Sequence, residues 1–216
     1  MIDRRSLLAG ASFIATAALF GGAMALLDPR PATAQTVSLG DLLIPPQLGD
    51  RALGKADAPV TVIEYASMTC PHCATFHETT YVELKKRYID TGKVRFIFRE
   101  FPLDTLAAGA SMLARCAEPD RFFPMIETLF QRQRQWAVEK PIPPLMTIAK
   151  QAGFSEQKFN ACLSDNKMLD ALQAERERAS QKFGVNSTPT VFVNNKMFRG
   201  GATIETLAKE IDSLVK

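Results

Sequence analysis

Histidine is scarce in this chain, with only His72 and His77 in 216 residues beside four cysteines. That scarcity bounds metal chemistry, because a zinc site needs about four Cys, His or carboxylate ligands, usually offered in paired motifs. One C-x-x-C is present, Cys70 to Cys73, with no second C-x-x-C and no H-x-x-H. Cys70, Cys73 and His77 would have to recruit Cys116 or Cys162 to complete a site, so no metal is expected. An excess of one charge is lacking as well. The 26 Lys and Arg face 23 Asp and Glu, which leaves no electrostatic footprint for nucleic acid or an anionic membrane surface. Nothing repeats internally.

What is present begins with an apolar opening. "MIDRRSLLAGASFIATAALFGGAMALLDPRPATAQ" places Arg4 and Arg5 ahead of 22 uncharged residues, Ser6 to Leu27, and ends in Ala32-Thr33-Ala34. A basic start, an apolar centre and a small-residue site form a secretory signal, expected to be cut after Ala34. The arginine pair before Ser6-Leu7-Leu8 also matches a twin-arginine signal loosely. The stretch is long enough to span a bilayer, so an uncleaved anchor is the competing reading. Its alanines and glycines dilute the apolarity and favour cleavage. Cleavage would remove Asp3, Arg4, Arg5, Asp28 and Arg30, leaving 182 residues with a net charge of +2. All four cysteines lie beyond the cut, and an exported chain with an even cysteine count points to disulfide chemistry in an oxidising compartment, here the periplasm.

Residues 35–59 hold Pro45, Pro46 and Pro59 without a sustained period and read as a loosely packed leader. Val60–Ala66 is a near-continuous apolar run of strand length, as expected for a strand buried on both faces. The cysteine pair follows, and "ATFHETTYVELKKRYIDTG" reads as one helix ending at Gly92. "KVRFIFREF" alternates Val94, Phe96 and Phe98 with Arg95, Ile97 and Arg99 as a second strand. Residues 103–183 contain only helical patterns, with Pro124 and Pro141–Pro144 at breaks or first turns and Ser155 as a helix cap. Strand signals return in Thr190–Val193 and Lys196–Arg199, joined by Asn194-Asn195 as a type I′ turn. Ile204, Leu207, Ala208, Ile211, Leu214 and Val215 form the stripe of a closing amphipathic helix. The order is β-α-β over 60–102, an all-helical insertion over 103–183, then β-β-α over 184–216, an α/β architecture.

The cysteines sit where the first strand turns into a helix. At a helix N-terminus Cys70 faces unpaired backbone N–H groups and the positive end of the dipole, which favour a thiolate. That field is worth about 0.3–2 kcal/mol, and one pKa unit is about 1.36 kcal/mol, so the dipole alone lowers the thiol by about one unit. His72 can add a hydrogen bond or a positive charge, and Pro71 fits the first helical position without losing a bond. A stabilised Cys70 thiolate stabilises the dithiol and makes a Cys70–Cys73 disulfide oxidising. Half a zinc site or a local structural disulfide are the alternatives that the motif leaves open. His77 reads as an exposed or partly buried helix residue.

"VIEYASMTCPHCATF", "KVRFIFREFPL" and "GVNSTPTVFVNNKMFRG" together resemble the DsbA-like branch of the thioredoxin fold, from about Val60 to the C-terminus. The resemblance implies a thioredoxin fold with a helical insertion and no cofactor. It implies a cis Pro189 opposite the cysteines, with the backbone of Thr188 docking the substrate chain. Glu64 matches an acidic residue buried beneath the cysteines; unpaired there, it would favour its neutral form and relay protons to Cys73, whereas on an exposed edge it would do neither. Cys116 and Cys162 resemble a second, structural disulfide pair of some members, the alternative being two free buried thiols. The implied activity is that of an exported thiol:disulfide oxidoreductase, whose exposed Cys70 is attacked by a client thiolate to give a mixed disulfide that Cys73 resolves. Its implied partners are reduced or unfolded exported proteins and a membrane redox protein, a quinone-linked oxidase or a reductant, with the chain itself a monomer. Thr188 departs from the valine of the best-known oxidases and matches many isomerases, which keeps an isomerase or reductase of the same fold open. Against an isomerase, the residues ahead of Val60 are too few for a dimerisation domain. A non-enzymatic peptide- or metal-binding protein on this scaffold is the reading from a different class.

Overall fold

The computed structural model describes residues 37–200 and 202–215; the expected signal over 1–34 lies outside them. In chain order the elements are α1 (Leu39–Leu43), β1 (Arg51–Leu53), β2 (Val60–Ala66), α2 (Pro71–Glu78), α3 (Thr80–Leu84), β3 (Val94–Glu100), α4 (Thr105–Cys116), α5 (Phe122–Gln131), α6 (Gln133–Trp136), α7 (Ile142–Gln151), α8 (Glu156–Leu163), α9 (Asn166–Phe183), β4 (Thr190–Val193), β5 (Lys196–Arg199) and α10 (Ile204–Leu214). The five strands form one sheet in the order β1-β3-β2-β4-β5. β2 pairs in parallel with β3 and antiparallel with β4, so it runs through the centre.

Strand periodicity decides what lies above and below. Val62, Phe96, Phe98, Val191 and Val193 face a large core shared with the helical insertion. Ile63, Tyr65, Ile97 and Phe192 face a smaller core closed by Leu42 of α1 and by Ala179 and Phe183 of α9. Both faces are covered, which is why β2 reads as an unbroken apolar run. Glu64 is its one charged residue.

Three expectations need correction. Residues 37–59 of the expected loose leader are packed: β1 pairs antiparallel with β3 at the sheet edge, and Val37 and Leu42 are buried. The cause lies in long-range polar contacts. Arg99, fully buried, binds Asp50 through Nε–Oδ1 (2.8 Å) and Nη2–Oδ2 (3.1 Å) and donates to Tyr65 Oη (2.9 Å). Arg115 grips Glu100 with two bonds of 2.6 and 2.7 Å and donates to the carbonyls of Leu48 and Gly49. The single helix expected after the cysteines is divided. Thr75 and Thr79 turn their hydroxyls back onto the carbonyls of Pro71 and Thr75 (3.2 and 2.7 Å), a pattern that bends helices, and α2 stops at Glu78. The chain then runs through α3 into a wide turn over Lys85–Ile89, and Gly92, at φ +76°, ends it as expected. At the β4–β5 turn Asn194 has φ +49° and is the only non-glycine residue of positive φ among the described residues. A type I′ turn needs positive φ at both central positions, so this turn is of another type.

Candidate active site

β2 delivers the chain to the site through Ser67, Met68 and Thr69. Ser67 O accepts from Cys70 N (3.1 Å), and Ser67 Oγ accepts from Leu103 N (3.2 Å). Thr69 Oγ1 donates to Asp104 Oδ2 (2.6 Å), while Asp104 Oδ1 caps α4 by accepting from Ala107 N (2.7 Å). Gln133 of α6, itself buried, donates both amide hydrogens to backbone carbonyls, Met68 O at 2.8 Å and Cys70 O at 3.0 Å. The helical insertion thus fixes the approach to the helix from two sides. Nothing in "RQRQW" distinguishes Gln133 from a solvated side chain, because its signal is a contact 63 residues distant.

Cys70 is the N-cap of α2 and Pro71 its first residue. The reduced Cys70 is less exposed than expected, at 7%. Its thiol is tucked under the loop before β4, donating to Thr188 O at 3.3 Å. The Thr188–Pro189 peptide is cis, and Thr190 Oγ1 ties the loop to Ser187 O at 2.7 Å. Cys73 lies one turn on and is fully buried.

The two thiols are pushed in opposite directions. Cys70 falls from an ordinary 9.0 to about 5: a hydrogen bond from Cys73 leads, partial burial opposes, and the Thr188 side chain and the backbone N–H groups of Cys73 and His72 add to the lowering. Cys73 is driven upward, first by burial, then by its bond to Cys70 and the charge of Glu64. His72 is exposed, and its backbone N–H is among the groups that lower the Cys70 thiol.

Glu64 is fully buried, so it does not lie on an exposed edge, and it is not unpaired. His77 Nε2 lies 2.9 Å from its Oε2. His77 is therefore not a surface residue. It is 5% exposed, stacked on Phe130 (4.4 Å between centroids) and tilted against Tyr81 (4.6 Å). In the helical insertion, Cys116 at the end of α4 and Cys162 in α8 are joined, S–S 2.12 Å, and span 46 residues. Among the described residues no group of three His, Cys, Asp or Glu is placed to hold a metal ion.

A parallel β-α-β unit, an antiparallel β-hairpin and a closing helix around a C-x-x-C at a helix start define a thioredoxin-fold protein. Comparison with known proteins gives the same class. The family model described as "Thioredoxin" matches residues 47–213. Disulfide bond formation protein D of Bacillus subtilis is 32% identical over 177 residues, 78% of each chain. A Rickettsia bellii protein named "Putative protein-disulfide oxidoreductase" is 33% identical over 169 residues, 77% of this chain and 65% of its own. The chain spans about 60–65% of the length of the Rickettsia relatives it matches. The crystal structure of alpha-DsbA1 from Wolbachia pipientis superposes with a TM-score of 0.76 at 31% identity, over 82% of this chain and 96% of that one. The chain belongs to the thioredoxin family, in its DsbA-like branch.

Proposed function

We propose that the chain is an exported thiol:disulfide oxidoreductase that passes a Cys70–Cys73 disulfide to reduced client proteins. The observation that carries this reading is the split between the thiols: a sulfur held near pKa 5 at a helix start, beside one that burial keeps protonated. A client thiolate attacks Cys70 Sγ, the Cys70–Cys73 bond breaks, and Cys73 leaves as a thiolate that takes up a proton. The client's second thiolate then attacks its own sulfur in the mixed disulfide, forming the client disulfide and releasing Cys70 as its stable thiolate. In the reverse direction Cys73 resolves the mixed disulfide. Every step exchanges one S–S bond for another, so no cofactor is required.

While Cys70 is protonated its thiol occupies the Thr188 carbonyl. Once Cys70 ionises or is bonded to a client it has no proton to donate, and Thr188 O is free to accept a backbone N–H of the docked chain. Thr188 and Pro189 are thus assigned to substrate docking, Pro71 to shaping the helix start, and the Cys116–Cys162 bond to bracing the insertion. The sequence signals favour a periplasmic location, and among the described residues no helix is long and apolar enough to cross a membrane. The resemblance supplies the redox partner, a membrane oxidase or reductant. A redox titration of Cys70–Cys73 against glutathione tests the direction: a potential above that of the glutathione pool supports an oxidase, and one near that of reductive thioredoxins overturns it. Cys70→Ser should abolish insulin reduction, and retained turnover would remove Cys70 from the nucleophile's role.

A further inference from the structure

Glu64 and His77 form a two-residue bridge whose outer atoms are both unsatisfied. Between Oε2 and Nε2 lies a hydrogen bond of 2.9 Å. Among the described residues, Oε1 of Glu64 and Nδ1 of His77 are buried with no hydrogen-bond partner. Each orphaned atom costs about 1–3 kcal/mol, and their occurrence at opposite ends of one bonded pair asks for a reason. At one end Glu64 is near enough to Cys73 for its charge to act on the thiol. At the other, His77 lines a surface cleft of about 430 Å³ between α3 and α5, with Tyr81, Val82, Lys85, Glu127 and Phe130. Val82 is 51% exposed, so the cleft reaches solvent, and no residue of the Thr188 loop lines it.

We infer that His77 is the outlet through which Glu64 exchanges the Cys73 proton with solvent, by way of the cleft between α3 and α5. The inference rests on the thiol-exchange reading. When Cys73 leaves as a thiolate, Glu64 gives it the carboxyl proton and becomes a carboxylate. His77 Nδ1 then takes a proton from the cleft, and the pair becomes imidazolium and carboxylate. When Cys73 must ionise to attack a mixed disulfide, its proton returns to Glu64 and the Nδ1 proton leaves to the cleft. The Nε2 proton stays in its bond to Oε2 throughout, so the tightly stacked ring never has to turn over; the pair gives one proton to Cys73 as it takes one from the cleft, or the reverse, and its net charge is unchanged.

The groups around the ring fit this traffic. Glu64 faces it from β2. Tyr81 covers it from α3 and donates to Glu127 Oε1 of α5 at 3.0 Å. Lys85 of the cleft wall is bound to Asp90 at 2.7 and 2.9 Å and does not compete for Glu64. Glu78 and Lys86 lie at the rim. β3 and α5 offer only Phe98 and Phe130 to the ring itself. His77 is therefore the polar route out of an otherwise aromatic cage.

The test is the rate at which Cys73 resolves a preformed Cys70–glutathione mixed disulfide, followed against pH. His77→Gln keeps an amide donor for Glu64 Oε2 but cannot carry a proton. The inference predicts a resolution rate about a hundredfold lower near pH 7, the lower end of general acid–base effects, with Cys70 alkylation within about twofold of normal. His77→Ala opens the ring's space to the cleft, and added imidazole should restore part of the lost rate, in step with its own protonation. Glu64→Gln combined with His77→Gln should be no slower than Glu64→Gln alone. A His77→Gln protein that resolves as fast as the natural one, losses that multiply in the double variant, or no rescue by imidazole would overturn the outlet and make the pair structural. A natural protein that forms no mixed disulfide at Cys70 would overturn the exchange reading along with it, a result that no His77 variant can imitate.

Discussion

The ionised Cys70 should make the reduced protein's stability depend on pH in a calculable way. The thiol falls from 9.0 to about 5 on folding. A depressed acid contributes nothing below its folded pKa, gains as pH rises through the window from 5 to 9, and is constant above it; the contribution is lost as pH falls through 5. At pH 7 the full effect is about 2.7 kcal/mol, from two pKa units at about 1.36 kcal/mol each. Because the sulfur sits at the mouth of the helix, screening brings the working range to about 1–2.7 kcal/mol. The perturbation is Cys70→Ala, with both proteins fully reduced so that Cys116 and Cys162 contribute equally. Unfolding at pH 5 and pH 7 should show the natural protein gaining about 1–2 kcal/mol over the variant, or roughly 2–8 °C in Tm for a chain of this size. The same energy raises the potential of the disulfide by about 20–60 mV. A gap between the two proteins that is equal at both pH values, or that narrows at pH 7, would refute the reasoning.

Arg99→Met should destabilise by about 3–5 kcal/mol, since it strands Asp50 and Tyr65 in a buried site, and denaturant titration together with faster proteolysis ahead of β2 would show it. Gln133→Leu leaves the carbonyls of Met68 and Cys70 without their donor and should cost about 1–3 kcal/mol, read by thermal unfolding; a neutral variant would mean that the clamp is incidental. Cys116→Ser with Cys162→Ser opens a loop of 46 residues and should cost about 2–4 kcal/mol, measured with Cys70 and Cys73 alkylated so that only the second pair differs.

What could be read from the chain alone follows the range of the interactions involved. β2, β4 and β5 were legible to the residue because a short run of apolar and β-branched residues and a tight turn are local signals. The helix starts at Asp104 and Ser155 carry their own capping side chains. The leader's β1 has only three residues and owes its place to Arg99 and Arg115, each about 50 or more positions away, so no local pattern announces it. At the site, the cysteines, Pro71 and the Thr188-Pro189 dipeptide stood out as a motif. His77 did not, because its meaning depends on Glu64 one strand below, and "ATFHETT" gives no hint that the ring turns inward.

The most direct measurement is a pH titration of thiolate absorbance in the reduced protein, with Cys70→Ser as the blank. The account predicts a single ionisation near pH 5 that vanishes in the variant, and no second one below pH 9, because Cys73 is held protonated. An inflection near pH 9, or one that survives the substitution, would contradict it.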